Sequence, residues 1–420
     1  MAREKGCRVL KILLLAHEVP FPPHGGSLIR IWQQILFFGQ RHRLTLALLA
    51  QSPAERQRAH SLERYCEAVK VVDAPGPDSL RPGQPRTVEQ CRSPELEEVL
   101  RSLAAESWDA VLIHRIFMAQ YAGLFSAPTV IDEHNIESDV VRQYASLAHT
   151  PRRPPQGGAL AHTPRRPPQG GAELEDRMRW RSEALLLQAY ETRWWPRFAL
   201  RVTVSEVDRQ RLERRGSMGR TVVAPNGADC SRPPRSLKRE SRCILFCGLL
   251  TYRPNQDAVE RLVEEVMPEV WSRCPGIRLI VAGTGPTPAL RALCGSDPRI
   301  ELVIDPAEME PVADRCSALV VPLRFGSGTR LKILEAFAWG LPVIATPLAC
   351  EGLPTEDGRE LLIREDPAGI AAAVIELHDR ADLWQRLRKQ GRELVESRYD
   401  WVDIWSRLET ELYSLAGITA

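Results

Sequence analysis

The chain has 420 residues, longer than a single hydrophobic core usually supports, so two domains of about 200 residues each are expected. Its 56 Lys plus Arg residues nearly cancel 54 Asp plus Glu, which excludes a global field for nucleic acid or an anionic membrane and leaves any anionic ligand to local groups. Ten scattered cysteines include no C-x-x-C pair and no Cys/His cluster at zinc spacing, so buried free thiols in a reducing cytoplasm are expected, without a metal or redox centre.

The N-terminal "MAREKGCRVLKILLLA" runs basic then apolar, as a secretion signal does. Lys11 interrupts the run, however, and "HEVPFPPHGG" stands where a small-residue cleavage site belongs, so the segment reads as the first buried strand. "RLTLALLA", "AVKVVDA", "DAVLIH" and "PTVIDEH" follow as strands, with helical patterns near 27–40, 53–65 and 94–105 between most of them. Such alternation predicts a parallel sheet covered on both faces. After "RVTVSE" and "TVVAPNGAD", the polar, Pro-containing "CSRPPRSLKRESR" reads as a linker. The pattern restarts with "CILFCG", "IRLIVAG", "IELVID", "ALVVPL" and "LPVIAT", a second doubly wound sheet. Beyond about residue 366 the chain reads as helical, and its last segment spaces Trp401, Ile404, Trp405, Leu408 and Leu412 along one helix face. No stretch approaches the roughly 20 apolar residues of a spanning helix.

Residues 147–159, "LAHTPRRPPQGGA", recur unchanged as 160–172. A Pro-, Gly- and Arg-rich tandem buries little apolar area, so residues 147–172 are expected to form a surface loop, either a tolerated duplication or a basic lid.

The chemistry concentrates in "VVPLRFGSGTRLKILEAFAWGLPVIAT", residues 320–346. A buried strand leads through a Gly-containing turn, with Gly328, to a helix starting near Thr329, whose exposed amides suit phosphate. Arg330 and Lys332 add cationic donors. Glu335, one turn on, could accept two hydrogen bonds from a ribose diol. The same three side chains could also make a solvated helix face with an i, i+3 ion pair. In "IDEHNIES", His134 ends a strand of the first half, where an imidazole could meet a sugar or serve as a structural hydrogen-bonding group. Gly25 and Gly26 of "PFPPHGGSLIR" allow close backbone approach ahead of a helix, as would any strand-to-helix turn. Gly283 and Gly285 make only a partial dinucleotide fingerprint, and there is no D-x-D pair, Ser elbow or P-loop.

Together with "VSEVDRQRL", "APNGAD", "RPNQDAVERL" and "SRYDW", and in this order, these segments resemble glycosyltransferase family 4 over almost the whole chain. The resemblance implies an α/β fold of GT-B architecture. A Rossmann-like acceptor-side domain would span 1–230, a second, nucleotide-sugar-binding one 231–397, and a C-terminal helix, 398–420, would cross back to the first. It implies anomeric retention without a metal, and no cofactor. The donor would be a UDP- or GDP-sugar and the acceptor a glycan or a lipid-linked glycan in polysaccharide biosynthesis, with the enzyme cytoplasmic or peripheral at the inner membrane face. By position, Glu335 matches the ribose-binding glutamate, His134 the active-site histidine, and Gly25 and Gly26 the glycines near the donor phosphates. Ser327 stands where many members have a second glutamate, and Arg253 is the cation left after the first strand of the second domain, so diphosphate neutralisation would fall to Arg330 and Lys332. The leaving diphosphate would itself take the acceptor proton. A nucleotide-sugar 2-epimerase and a catalytically silent scaffold are the competing readings.

Overall fold

The structure is a computed structural model that describes residues 8–23, 25–75, 81, 83–147, 170–216, 219–234, 241–325 and 331–418. The alternation of apolar runs and amphipathic segments yields two parallel sheets. The first contains β1 (Lys11–Ala16), β2 (Arg43–Ala50), β3 (Ala68–Asp73), β4 (Ala110–His114), β5 (Thr129–Glu133), β6 (Leu200–Thr203) and β7 (Thr221–Val223), in the order β3-β2-β1-β4-β5-β6-β7. The second contains β8 (Cys243–Cys247), β9 (Arg278–Gly283), β10 (Ile300–Ile304), β11 (Ala318–Val321), β12 (Val343–Ala345) and β13 (Leu362–Ile363), ordered β10-β9-β8-β11-β12-β13. This is the GT-B arrangement of two doubly wound sheets. Edge strand β13 is only two residues long, and its apolar run is too short to read as a strand from sequence.

Side chains alternate across a strand. Ile12, Leu14 and Ala16 of β1 therefore enter one core while Leu13 and Leu15 enter the other, on the opposite face of the sheet. A strand buried on both faces must be apolar throughout, which explains the unbroken run. In each sheet the strand order reverses once, between β1 and β4 and between β8 and β11. The carboxyl ends of strands at such a reversal border a ligand crevice. The two crevices face each other: a Cβ added to Gly25 would lie 3.9 Å from Leu249, and one on Gly26 would lie 3.4 Å from Leu331. Away from them, Arg211 and Glu351 join the two halves at 3.3 Å.

The helix Trp401–Leu415 packs on the first sheet's core, burying Trp401, Ile404, Trp405, Leu408, Leu412 and Tyr413 beside Ile31, Ile35 and Phe38. Asp400 caps it by accepting from the Val402 amide at 2.8 Å. Where the chain returns, Gly227 passes so close to the preceding turn that a Cβ would sit 2.5 Å from the Tyr399 carbonyl oxygen.

Most of the tandem repeat lies outside the described residues. Its edges do not form a loop: Leu147 closes the helix Glu137–Leu147, and Gly170–Ala172 open the helix Gly170–Trp194. Once nucleated by its neighbours, a helix adds residues at little cost. The nine described cysteines are unpaired, and burial pushes the Cys91 and Cys247 thiols up to about 12. Among the described residues no helix is long and apolar enough to cross a membrane.

Trp405 is fully buried and stacks on Trp401 at 5.2 Å. Trp405→Ala is expected to remove about 3–5 kcal/mol from the unfolding free energy of the first sheet's domain, seen as a lower urea midpoint of that transition.

Candidate active site

The first half of the site is built by the end of β5 and the helix Gly26–Arg41. Because side chains alternate, Asp132 and His134 leave one face of β5 and Glu133 the other. Glu133 accepts from the Trp195 indole (2.7 Å) and the Ile116 amide (3.2 Å), and burial raises its carboxyl well above the usual carboxylate range. Trp195 is fully buried, so "RWWPRF" serves packing at this point. Asp132 and His134 face the helix, whose buried side carries two polar residues, Arg30 and Gln34. Arg30 donates to both Asp132 oxygens at 2.8–3.0 Å and to the Pro225 carbonyl and Asn226 side chain at 3.2 Å. Gln34 donates to Asp132 at 2.5 Å.

His134 is buried and uses both ring nitrogens: Nδ1 lies 2.9 Å from the Ser27 hydroxyl and Nε2 lies 3.0 Å from Nδ1 of His114. Burial lowers the His134 pKa well below its ordinary value and those of His114 and His17 to about 4, so the three rings are neutral near pH 7. His114, Asp132 and His134 offer ligand atoms within 4.8 Å of one another, close enough for a metal ion. Asp132 is nevertheless already held by Arg30 and Gln34, and the two rings are bonded to each other.

The second half lies at the end of β8. Gly248 adopts φ +150°, and a Cβ there would meet Asn255 Nδ2 at 2.8 Å and Lys332 Nζ at 3.0 Å, so only glycine leaves room for both. Lys332 Nζ donates to Asn255 Oδ1 at 2.8 Å and sits 4.4 Å from the Phe246 ring. One turn on, Glu335 is half-buried and makes no hydrogen bond or ion pair among the described residues. Burial raises its carboxyl to about 7, against the opposing pull of Lys332.

The structure thus brings Lys332 and Glu335 together on one crevice, and Gly25, Gly26 and His134 on the other. Arg253 does not join Lys332: its 44 % exposed side chain is held by Glu260 of the same helix at 2.9 Å. Gly328, Thr329 and Arg330, with Ser327, lie outside the described residues. Sequence reasoning missed Arg30, Ser27, Glu18, His114 and Asn255. A signal existed for four of them: Glu18, Ser27 and Arg30 flank the glycine pair, and His114 is a polar residue closing an otherwise apolar strand.

Residues 241–380 match the family described as Glycosyl transferases group 1. The match lies within the second sheet's half of the chain and supports the family 4-like character read from the motifs. The mycobacterial phosphatidyl-myo-inositol mannosyltransferase (Mycobacterium tuberculosis) is 25% identical over 232 residues, 52% of this chain and 60% of the relative. An uncharacterized 44.6 kDa protein in the cps region of Klebsiella pneumoniae is 24% identical over 177 residues, 40% of this chain and 45% of the relative. The chain therefore spans about half the length of the curated relatives it matches. Among solved structures, Anabaena Alr3699/HepE in complex with UDP and glucose superposes with TM-score 0.66 at 15% identity, covering 96% of this chain and 100% of that one. Sucrose-phosphate synthase from Thermosynechococcus elongatus gives TM-score 0.68 at 18% identity, covering 96% and 99%. These likenesses carry the GT-B fold.

Removing one partner of the buried Arg30–Asp132 pair, by Arg30→Met or Asp132→Leu, is expected to cost about 3–5 kcal/mol because the other charge is stranded. The double variant is expected to cost less than the sum of the two. Chemical denaturation of the four proteins, read as a double-mutant cycle, measures the difference.

Proposed function

We propose that the chain is a retaining, metal-independent glycosyltransferase that moves a sugar from a UDP- or GDP-linked donor to a glycan or lipid-linked acceptor in polysaccharide assembly. It would work in the cytoplasm or at the inner membrane face. The observation that carries this reading is Glu335: a half-buried carboxylate with spare acceptor capacity, one turn beyond Lys332, at the point where the strand order of the second sheet reverses. A ribose diol donates two hydrogen bonds and would satisfy it, while Lys332 and Arg330 would face the diphosphate. The group 1 family match over this domain supports the assignment, as do the mannosyltransferase relative and the UDP-bound neighbour.

In this reading the leaving diphosphate takes the proton of the attacking hydroxyl on the face it departs from. The protein supplies charge stabilisation and positioning. Arg330→Ala is expected to lower kcat by roughly 10²–10³ because its contact strengthens as charge develops. The anomeric configuration of the product, read by NMR, tests retention, and transfer rates with and without a chelator test metal independence. An isomerised sugar nucleotide formed without acceptor would overturn transfer in favour of epimerisation.

Glu335→Gln is expected to weaken UDP binding by about 1.5–3 kcal/mol and to raise the donor KM with little change in kcat. The pH dependence has a defined sign. Ribose hydroxyls donate to the ionised carboxylate, so binding favours deprotonated Glu335, and affinity should strengthen as pH rises through about 7. The phosphate of UDP titrates in both proteins, so the difference between the wild-type and Glu335→Gln calorimetric curves isolates the residue. Superimposable curves would overturn the ribose assignment.

A further inference from the structure

At the mouth of the first crevice, Ser27 Oγ lies 3.0 Å from Glu18 Oε1 and 2.9 Å from His134 Nδ1. His134 Nε2 lies 3.0 Å from His114 Nδ1, which is 3.7 Å from Asp132 Oδ2. The remaining nitrogen of His114, Nε2, is buried without a partner among the described residues. These contacts fix where each proton sits. The Glu18 carboxylate only accepts, so the single Ser27 proton points to it and Ser27 Oγ must accept from His134, which therefore carries its proton on Nδ1. A neutral His134 then has a bare Nε2, and His114 must donate to it from Nδ1. That proton faces the Asp132 carboxylate, and His114 Nε2 is left as a bare acceptor. The opposite direction would bury an orphan N–H on His114 and aim a lone pair at an anion, which costs more than an unused acceptor.

We infer that Glu18 is a substrate-hydroxyl acceptor of the cleft, and that Ser27, His134 and His114 are positioning residues forming a one-way hydrogen-bond chain from His114 that holds it. Glu18 is 27% exposed, and its second oxygen, Oε2, makes no hydrogen bond among the described residues. His17 Nε2 approaches Oε1 at 3.4 Å, so both fixed contacts fall on one oxygen and the other is left for a hydroxyl. The loop that carries Glu18 lies between β1 and the helix Gly26–Arg41, whose start faces Leu249 and Leu331 across the cleft. His134 thereby acts through Ser27 and Glu18, since neither of its ring nitrogens is left for a sugar.

The inference rests on the transferase reading for its substrate and on geometry alone for the chain, and the two are tested separately. In protein labelled with ¹⁵N-histidine, long-range proton–nitrogen correlation is expected to show His134, assigned by the signal lost in His134→Gln, as the Nδ1–H tautomer. An Nε2–H pattern in the wild type would overturn the chain. His114→Phe keeps an aromatic ring but removes the donor to Nε2, and is expected to weaken the single-tautomer preference, which the Ser27 contact alone then supports. His114→Asn, which keeps an N–H near the Nδ1 position, is expected to restore it. Ser27→Ala, at the partly exposed end, provides a break in the chain that does not disturb the buried core.

In transfer assays, Glu18→Gln is expected to raise the KM of the sugar donor or of the acceptor about tenfold, while calorimetric binding of UDP alone is unchanged. Ser27→Ala and His114→Phe should move the same KM in the same direction, and His114→Asn should recover it. Unchanged KM values in Glu18→Gln would overturn the hydroxyl-acceptor role, whereas a wild type that binds neither UDP nor GDP would overturn the transferase reading and leave the tautomer result standing.

Discussion

A buried guanidinium carries much of the molecule's organisation. Arg30 has no exposed surface, and taking its charge out of water costs several kcal/mol unless its donors are satisfied. They are satisfied by groups from two separate parts of the chain: the Asp132 carboxylate at the end of β5, and the Pro225 carbonyl with the Asn226 side chain in one turn. The face of the guanidinium rests 4.9 Å from the Trp405 ring of the C-terminal helix. One side chain thus ties together the helix after the glycine pair, the "IDEHNIES" strand, the "APNGAD" turn and the returning helix. Segments that seem unrelated in the sequence are neighbours because a single cation requires them to be.

That cation also shapes the electrostatics of the first crevice. Burial lowers the pKa of His134 and His114, and the nearby Arg30 charge pushes in the same direction. Neutral imidazoles transmit direction through hydrogen bonds, and they contribute no charge. The crevice on the second sheet has the complementary character, with the Lys332 ammonium beside the Glu335 carboxyl at the end of a strand. A cleft with oriented hydrogen-bonding groups on one side and an ammonium on the other suits a ligand whose anionic part binds to the second domain and whose hydroxyls face the first.

The C-terminal helix closes this arrangement. It follows the second sheet in sequence yet buries Trp401, Trp405 and Leu412 in the core of the first. Leu331, the first described residue of the helix that carries Lys332 and Glu335, joins that same core. The two halves are therefore coupled through apolar packing beside the site as well as through the chain connection, and the distance between the two crevices is set by side-chain volume.

Much of this was determined by the sequence alone. Period-two burial requires strands such as "KILLLA" to be apolar throughout, and amphipathic spacing requires helices between them, so two parallel sheets and the apolar stripe of the last helix were legible. So was the local placement of Lys332 with Glu335, because residues three apart on a helix share a face. The partners of these groups were decided only by tertiary structure. Nothing in the sequence near Arg253 indicates that Glu260, two helical turns on, would take its charge, or that Asn255 would instead hold Lys332. His134 could be marked from its strand end, but the proton on its ring is set by His114, twenty positions away, and by Ser27, more than a hundred away. Hydrogen-bond direction depends on which donors and acceptors lie within about 3 Å, and that proximity is created by folding.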